Sequence, residues 1–240
     1  MQVIRPNCRV QFSAEDVDFI VAVLGKKTGN AECLTKLLSD PDARDLILDD
    51  DLLFRAVLER PECLRISTHL YFYILVRNVF LHSGLKEREV ADYVAEVLTE
   101  FSQTERMDCR VKGQPLNYFF EMLTALQTAD DITRFYIRAH IGNYSLFLSG
   151  VFPDRIRRRA ELRGAPDLRY YEQVGSTSFR AVSDHRLAYK YDLAEIFGLL
   201  SERFQATRKA LNDLGDRLIS IGESDTSVDA MLKNLPELGI

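Results

Sequence analysis

The sequence predicts an all-α protein of nine to eleven helices. Three observations carry this. Nearly every apolar segment repeats at the helical spacing of three to four residues. Helix-start residues, Ser, Asp or Asn, recur just ahead of these segments. No run of four or more residues alternates apolar and polar side chains as a half-buried strand would. No repeat of fixed period is present.

The elements follow in order. Ser13, with Asp16 three residues on, forms a capping-box start. Phe12 and Val17 can staple across it. Val17, Ile20, Val21 and Leu24 then share one face, and Gly25 is expected to stop the helix. A short helix follows over Asn30 to Leu38. Pro41 takes a first helical position, and Pro61 ends the segment that carries Leu52, Leu53, Ala56 and Val57. Ser67 to His82 holds the most apolar stretch of the chain, so a buried helix is expected, stopped by Gly84. Lys86 to Phe101 is amphipathic. Val90, Tyr93, Val94, Val97, Leu98 and Phe101 make its apolar stripe, while Glu87, Glu89, Asp92, Glu96 and Glu100 are expected to face water.

Residues 102–115 lack periodicity and contain Gly113 and Pro115. They are read as a linker or loop between an N-terminal helical half, 1–101, and a C-terminal half, 116–222; both halves can still form one domain. Residues 223–240 read as a tail. Leu116, Phe119, Phe120, Leu123 and Leu126 mark the next helix, and Thr128 or Asp130 caps the one after. Gly142 and Asn143 are expected to bend or break it before Tyr144 to Ser149. Pro153 then opens a basic helix that ends near Gly164.

The last helix carries the strongest pattern. Leu193, Phe197, Leu200, Phe204, Thr207, Leu211, Leu214 and Leu218 are spaced alternately by four and three, a 3.5-residue repeat. A long C-terminal helix with a heptad seam is therefore expected. Its flanking positions show no pairing of opposite charges. This favours packing inside the chain over a parallel homodimer, which stays open as the alternative.

Composition bounds the function. The chain has 240 residues with 46% hydrophobic content and a net charge of −5. That excludes a disordered chain, a disulfide-stapled scaffold and a uniformly basic nucleic-acid binder. Cys8, Cys33, Cys63 and Cys109 are too widely spaced for a zinc finger or ribbon. No metal or cofactor is expected. The most apolar stretch, Leu70 to Leu81, is interrupted by Arg77 and Asn78 and is too short to span a bilayer. Met1 to Arg9 has no apolar signal core. A cytoplasmic protein with reduced thiols and no membrane association is expected.

The average charge conceals an asymmetry. Residues 132–190 carry 11 basic against five acidic side chains, while residues 1–131 carry 15 basic against 22 acidic. At its centre stand Arg155, Arg157, Arg158, Arg159 and Arg163. Guanidinium groups suit carboxylate or phosphate, so this helix is the candidate surface for an acidic protein or nucleic-acid partner. Pairing with the acidic half of the same chain is the bland account.

A second candidate rests on histidine. His69, His140 and His185 each have a tyrosine four residues later, and Arg77 continues the first series. A ligand pocket lined by His140, Asn143, Tyr144, Tyr170, Tyr171 and His185 would make the chain an enzyme or small-ligand binder. Satisfied core histidines are the bland account. Neither the phosphate-loop, the zinc-protease nor the calcium-loop spacing occurs.

The stretch Ile141 to Pro153, with Gly142, Asn143, Leu146, Phe147, Gly150 and Phe152, followed by Tyr170, Tyr171 and Gly175, resembles a signature of uncharacterised bacterial helical proteins. Phe179 stands where that pattern usually has a tyrosine. The resemblance covers about residues 138–182 and implies no activity. The sequence therefore points to a non-catalytic scaffold or regulatory protein, with the enzyme and homodimer readings as rivals.

Overall fold

A computed structural model describes residues 3–59, 65–102, 109–111, 114–116 and 119–221. Among these are thirteen α-helices, one 3-10 turn and one small hairpin. The tail at 223–240 and Pro61 lie outside the described residues.

Residues 3–13 cross the surface of the N-terminal helices and contain the 3-10 turn Cys8–Val10. Helix α1, Ala14–Thr28, starts in a full capping box: Ser13 Oγ accepts from the Asp16 amide, and the Asp16 carboxylate accepts from the Ser13 amide. It does not stop at Gly25. Glycine is tolerated inside a helix, and the left-handed cap falls on Gly29, at φ 68°. Helices α2, Ala31–Leu38, and α3, Pro41–Ile47, are capped by the side chains of Asn30 and Asp40. Helix α4 spans Asp51–Glu59.

Helix α5, Thr68–His82, is the hub of the N-terminal half. Every residue from Leu70 to Phe80 is buried. It packs against α4, against α6, Arg88–Ser102, and against the last helix. Two residues expected to face water from α6 are buried instead, Asp92 and Glu96. The segment around Cys8–Val10 covers them.

The stretch read as a linker holds a two-stranded antiparallel hairpin: β1, Cys109–Val111, pairs with β2, Gln114–Leu116. Leu116 thus belongs to a strand, and α7 begins only at Phe119, running to Thr128. Three-residue strands are too short to show alternation in sequence. Buried residues from Val3 to Leu214 form one continuous cluster, drawn from both sides of this hairpin.

Helix α8, Asp131–Val151, is the hub of the C-terminal half. Asp130 caps it, and it runs unbroken through Gly142 and Asn143. The glycines serve close approach rather than bending. A Cβ at Gly142 would stand 2.7 Å from the Phe179 ring, and one at Gly150 would stand 2.9 Å from Leu211. Helix α9, Pro153–Arg163, ends at left-handed Gly164. Helix α10, Leu168–Ser183, makes the most extensive helix contact of the fold, against α8. Gly175 permits it, since a Cβ there would meet Phe204 at 2.4 Å and Ser145 at 2.9 Å. The residues that carry the signature are therefore largely packing residues.

After the short α11, Arg186–Lys190, the expected long helix is two: α12, Ala194–Glu202, and α13, Phe204–Ile221, interrupted at Arg203. Each counts separately, which raises the helix number above the expected range. From Leu193 to Leu214, the seam residues are buried. Helix α12 packs on α10, while α13 packs on α8 and α5. Asn212 of α13 donates to the Ser149 and Gly150 carbonyls, two of the acceptors left over at the end of α8.

Candidate functional site

Three groups of side chains could carry function. The first is the basic helix. Pro153 at its first turn and Gly164 at its end fix the length of α9. Ile156 is its buried anchor, and Leu162 is 72% exposed. Arg157 pairs within the helix, with Asp154 at 2.6 Å. Arg158 and Arg163 are exposed and Arg155 and Arg159 half-buried. Arg159 stands near enough to Tyr171 to oppose, in part, the upward push of burial on that phenol. Among the described residues, Arg155, Arg158 and Arg163 have no ion-pair partner, so no bond of theirs there reaches the acidic N-terminal half. At about 100° per residue, Arg155, Arg158 and Leu162 fall within about 60° of one another, each turned about 100–160° from Ile156.

The second group is aromatic. His140 stacks on Tyr144, with centroids 6.1 Å apart and planes 14° apart, one helical turn along α8. Phe119, at the start of α7, joins Tyr144 at 6.2 Å, Tyr170 at 6.0 Å and Tyr171 at 5.5 Å. Three of the six expected pocket residues therefore meet around Phe119, and His140 joins them through Tyr144. Asn143 turns elsewhere: it is buried and accepts a 2.8 Å hydrogen bond from Tyr93 Oη. His185 is more distant still. It caps α11, with Nδ1 accepting from the Leu187 amide, and its ring stacks on Phe135 while Nε2 meets Asp131 at 3.1 Å. A shallow cleft of about 330 Å³ lies at a different place, between α10 and the α12–α13 junction, lined by polar residues such as Arg169, Gln173, Ser176 and Ser201.

The third group was not anticipated as a site. His69, Tyr73 and Arg77 lie one turn apart on α5, and Glu89, Asp92 and Glu96 share a face of α6. Both lines meet the segment around Arg9. The Arg9 guanidinium reaches Asp45 of α3 at 2.7 Å, Asp92 at 3.0 Å and Glu89 at 2.5 Å, and stands 5.8 Å from the centre of the Tyr73 ring. Arg77, with a side chain only 3% exposed, is bidentate to Asp49 at 2.7 and 3.0 Å, and Arg88 shares that carboxylate. Glu96 accepts from Cys8 Sγ at 3.0 Å and lies 3.6 Å from His69. Cys, Glu and His in contact suggest nucleophilic chemistry, but the thiol is fully buried. Burial and the Glu96 charge push its pKa far up, so it stays protonated and inert. Burial also raises Asp92 and Glu96, against the pull of Arg9 on the first and of Cys8 and His69 on the second. The signal for this group was in the sequence as the His69–Tyr73–Arg77 series; what it faced was not.

Among the described residues, no three His, Cys, Asp or Glu side chains are arranged to hold a metal ion. No described helix is long and apolar enough to cross a membrane. Comparison with protein-family models, with curated proteins and with solved structures finds no match. The described residues define a helical protein in which α9 is an exposed basic helix.

Proposed function

We propose that this chain is a non-catalytic cytoplasmic scaffold or regulatory protein that docks an acidic protein segment on α9. One observation carries the reading: Arg155 and Arg158, without ion-pair partners among the described residues, lead along one stripe to Leu162, which is 72% exposed. Guanidinium groups left in water recognise carboxylates or phosphates. An exposed leucine on the same stripe favours a partner with apolar side chains between its acids. A polynucleotide backbone offers none, and the net charge of −5 opposes nonspecific binding to it.

The test is fluorescence anisotropy at low salt with three labelled probes: a peptide alternating Glu and Leu, one alternating Glu and Ser, and a single-stranded oligonucleotide. The Glu/Leu peptide should bind best. Arg155→Glu with Arg158→Glu should weaken it at least about tenfold, and Leu162→Ser should erase its advantage over Glu/Ser. Unchanged binding in the double variant, or tighter binding of the oligonucleotide, would overturn the reading.

A further inference from the structure

We infer that the groove between α5 and α6, rimmed by Asp45 of α3, is a binding site for an arginine-bearing turn, and that residues 7–10 of this chain are its resident, exchangeable occupant. The occupant is held as a ligand is held. One guanidinium fills a cradle of three carboxylates drawn from two helices, Asp45, Glu89 and Asp92, and lies against the face of Tyr73. Its neighbour Cys8 inserts a fully buried side chain onto Glu96.

The fit is incomplete. Tyr73 is fully buried, yet its Oη finds no hydrogen-bond partner among the described residues, and neither do Asp45 Oδ1 and Arg88 Nε. Buried polar atoms are nearly always paired in a finished core. Here two that are not belong to Asp45 and Tyr73, which hold the Arg9 head, and the third, Arg88 Nε, stands 4.0 Å from Asp45 Oδ2. They leave hydrogen-bonding capacity that another segment, entering with its own polar groups, would use. The contacts of Arg9 with α3 and α6 are ionic, and Cys8 is the one side chain of residues 7–10 that enters the buried core, so exchange has to withdraw only that small group.

Cys8 supplies the readout, because its thiol reacts only when the segment lifts, whereas Cys33 is exposed and serves as reference. Iodoacetamide labelling of the full chain is followed peptide by peptide by mass spectrometry. In Arg9→Ala, Cys8 should label about tenfold or more faster than in the wild type, as loss of charge-assisted hydrogen bonds implies. A peptide with the sequence of residues 3–12, its cysteine replaced by serine, should bind the Arg9→Ala chain more tightly than the wild type. The same peptide carrying Arg9→Ala should not bind. If Arg9→Ala loses its cooperative melting transition, Arg9→Lys takes its place, keeping the charge but not the fork, with a smaller rise in labelling expected. Labelling of Cys8 at the global unfolding rate in every folded variant would overturn the inference, as would failure of the peptide to bind a folded variant chain.

Discussion

At Asp49, burial and charge pull in opposite directions. Burial raises the carboxyl, but bidentate hydrogen bonds from Arg77 and a second contact from Arg88 hold it below its ordinary value. A carboxylate lowered in this way contributes stability above its unfolded pKa of about 3.9 and loses it as pH falls through the folded value. Asp49→Asn should therefore lower stability near pH 7 by about 3 kcal/mol, because it leaves Arg77 buried without its charge partner. It should also flatten the loss of stability below about pH 4. Urea unfolding across pH measures both. Asp92 and Glu96 run the other way: with raised values, their contribution is complete at low pH and fades as pH rises through the folded pKa. At these residues local periodicity and tertiary packing part company. The spacing of Asp92 and Glu96 put them on the polar side of α6, which is where they are. That a segment some eighty residues earlier covers that side is a tertiary fact that no local period encodes.

Many helix positions were legible from a local cap or apolar stripe, but not all: α10 has a local cap at Asp167, and no helix was expected there. Ser13, Asn30, Asp40, Ser67 and Asp130 each cap the helix that follows. Interior glycines were misread, because a sequence does not say whether a glycine turns the chain or admits a neighbour. Gly142 and Gly175 admit neighbours. Gly175→Ala should cost about 1–3 kcal/mol by overpacking, seen in thermal or urea melts. Shortening the opposing ring with Phe204→Leu should reduce that cost in a double-mutant cycle; an equal cost in both backgrounds would refute the contact. The interruption at Arg203 was invisible for a related reason: the heptad spacing passes through it unchanged. From Leu193 to Leu214, the seam residues on α12 and α13 are buried within the same chain. On α9 the reverse holds, since Arg155, Arg158 and Leu162 contribute little to the core, and their substitution should change stability by less than about 0.5 kcal/mol.

For the whole molecule, the buried cluster from Val3 to Leu214 makes the two halves share a core. With α13 laid against α8 and α5, little of its seam is left for a second copy. Light scattering should return a mass near 27.5 kDa; twice that value would revive the homodimer. The segmental charge was legible from composition alone, and so was the basic helix. The aromatic group around Phe119 was legible only in part, because His140 and Tyr144 share a helical face while Asn143 and His185 answer to other partners. The proposed docking rests on the α9 stripe, whose Leu162 is one of several exposed apolar side chains. The most direct measurement is an amide NMR titration of the isotope-labelled chain with the Glu/Leu peptide. The account predicts shifts confined to residues 153–163 and their immediate neighbours on α8 and α10. Shifts centred on the aromatic group or on the α5–α6 groove, or none at all, would contradict it.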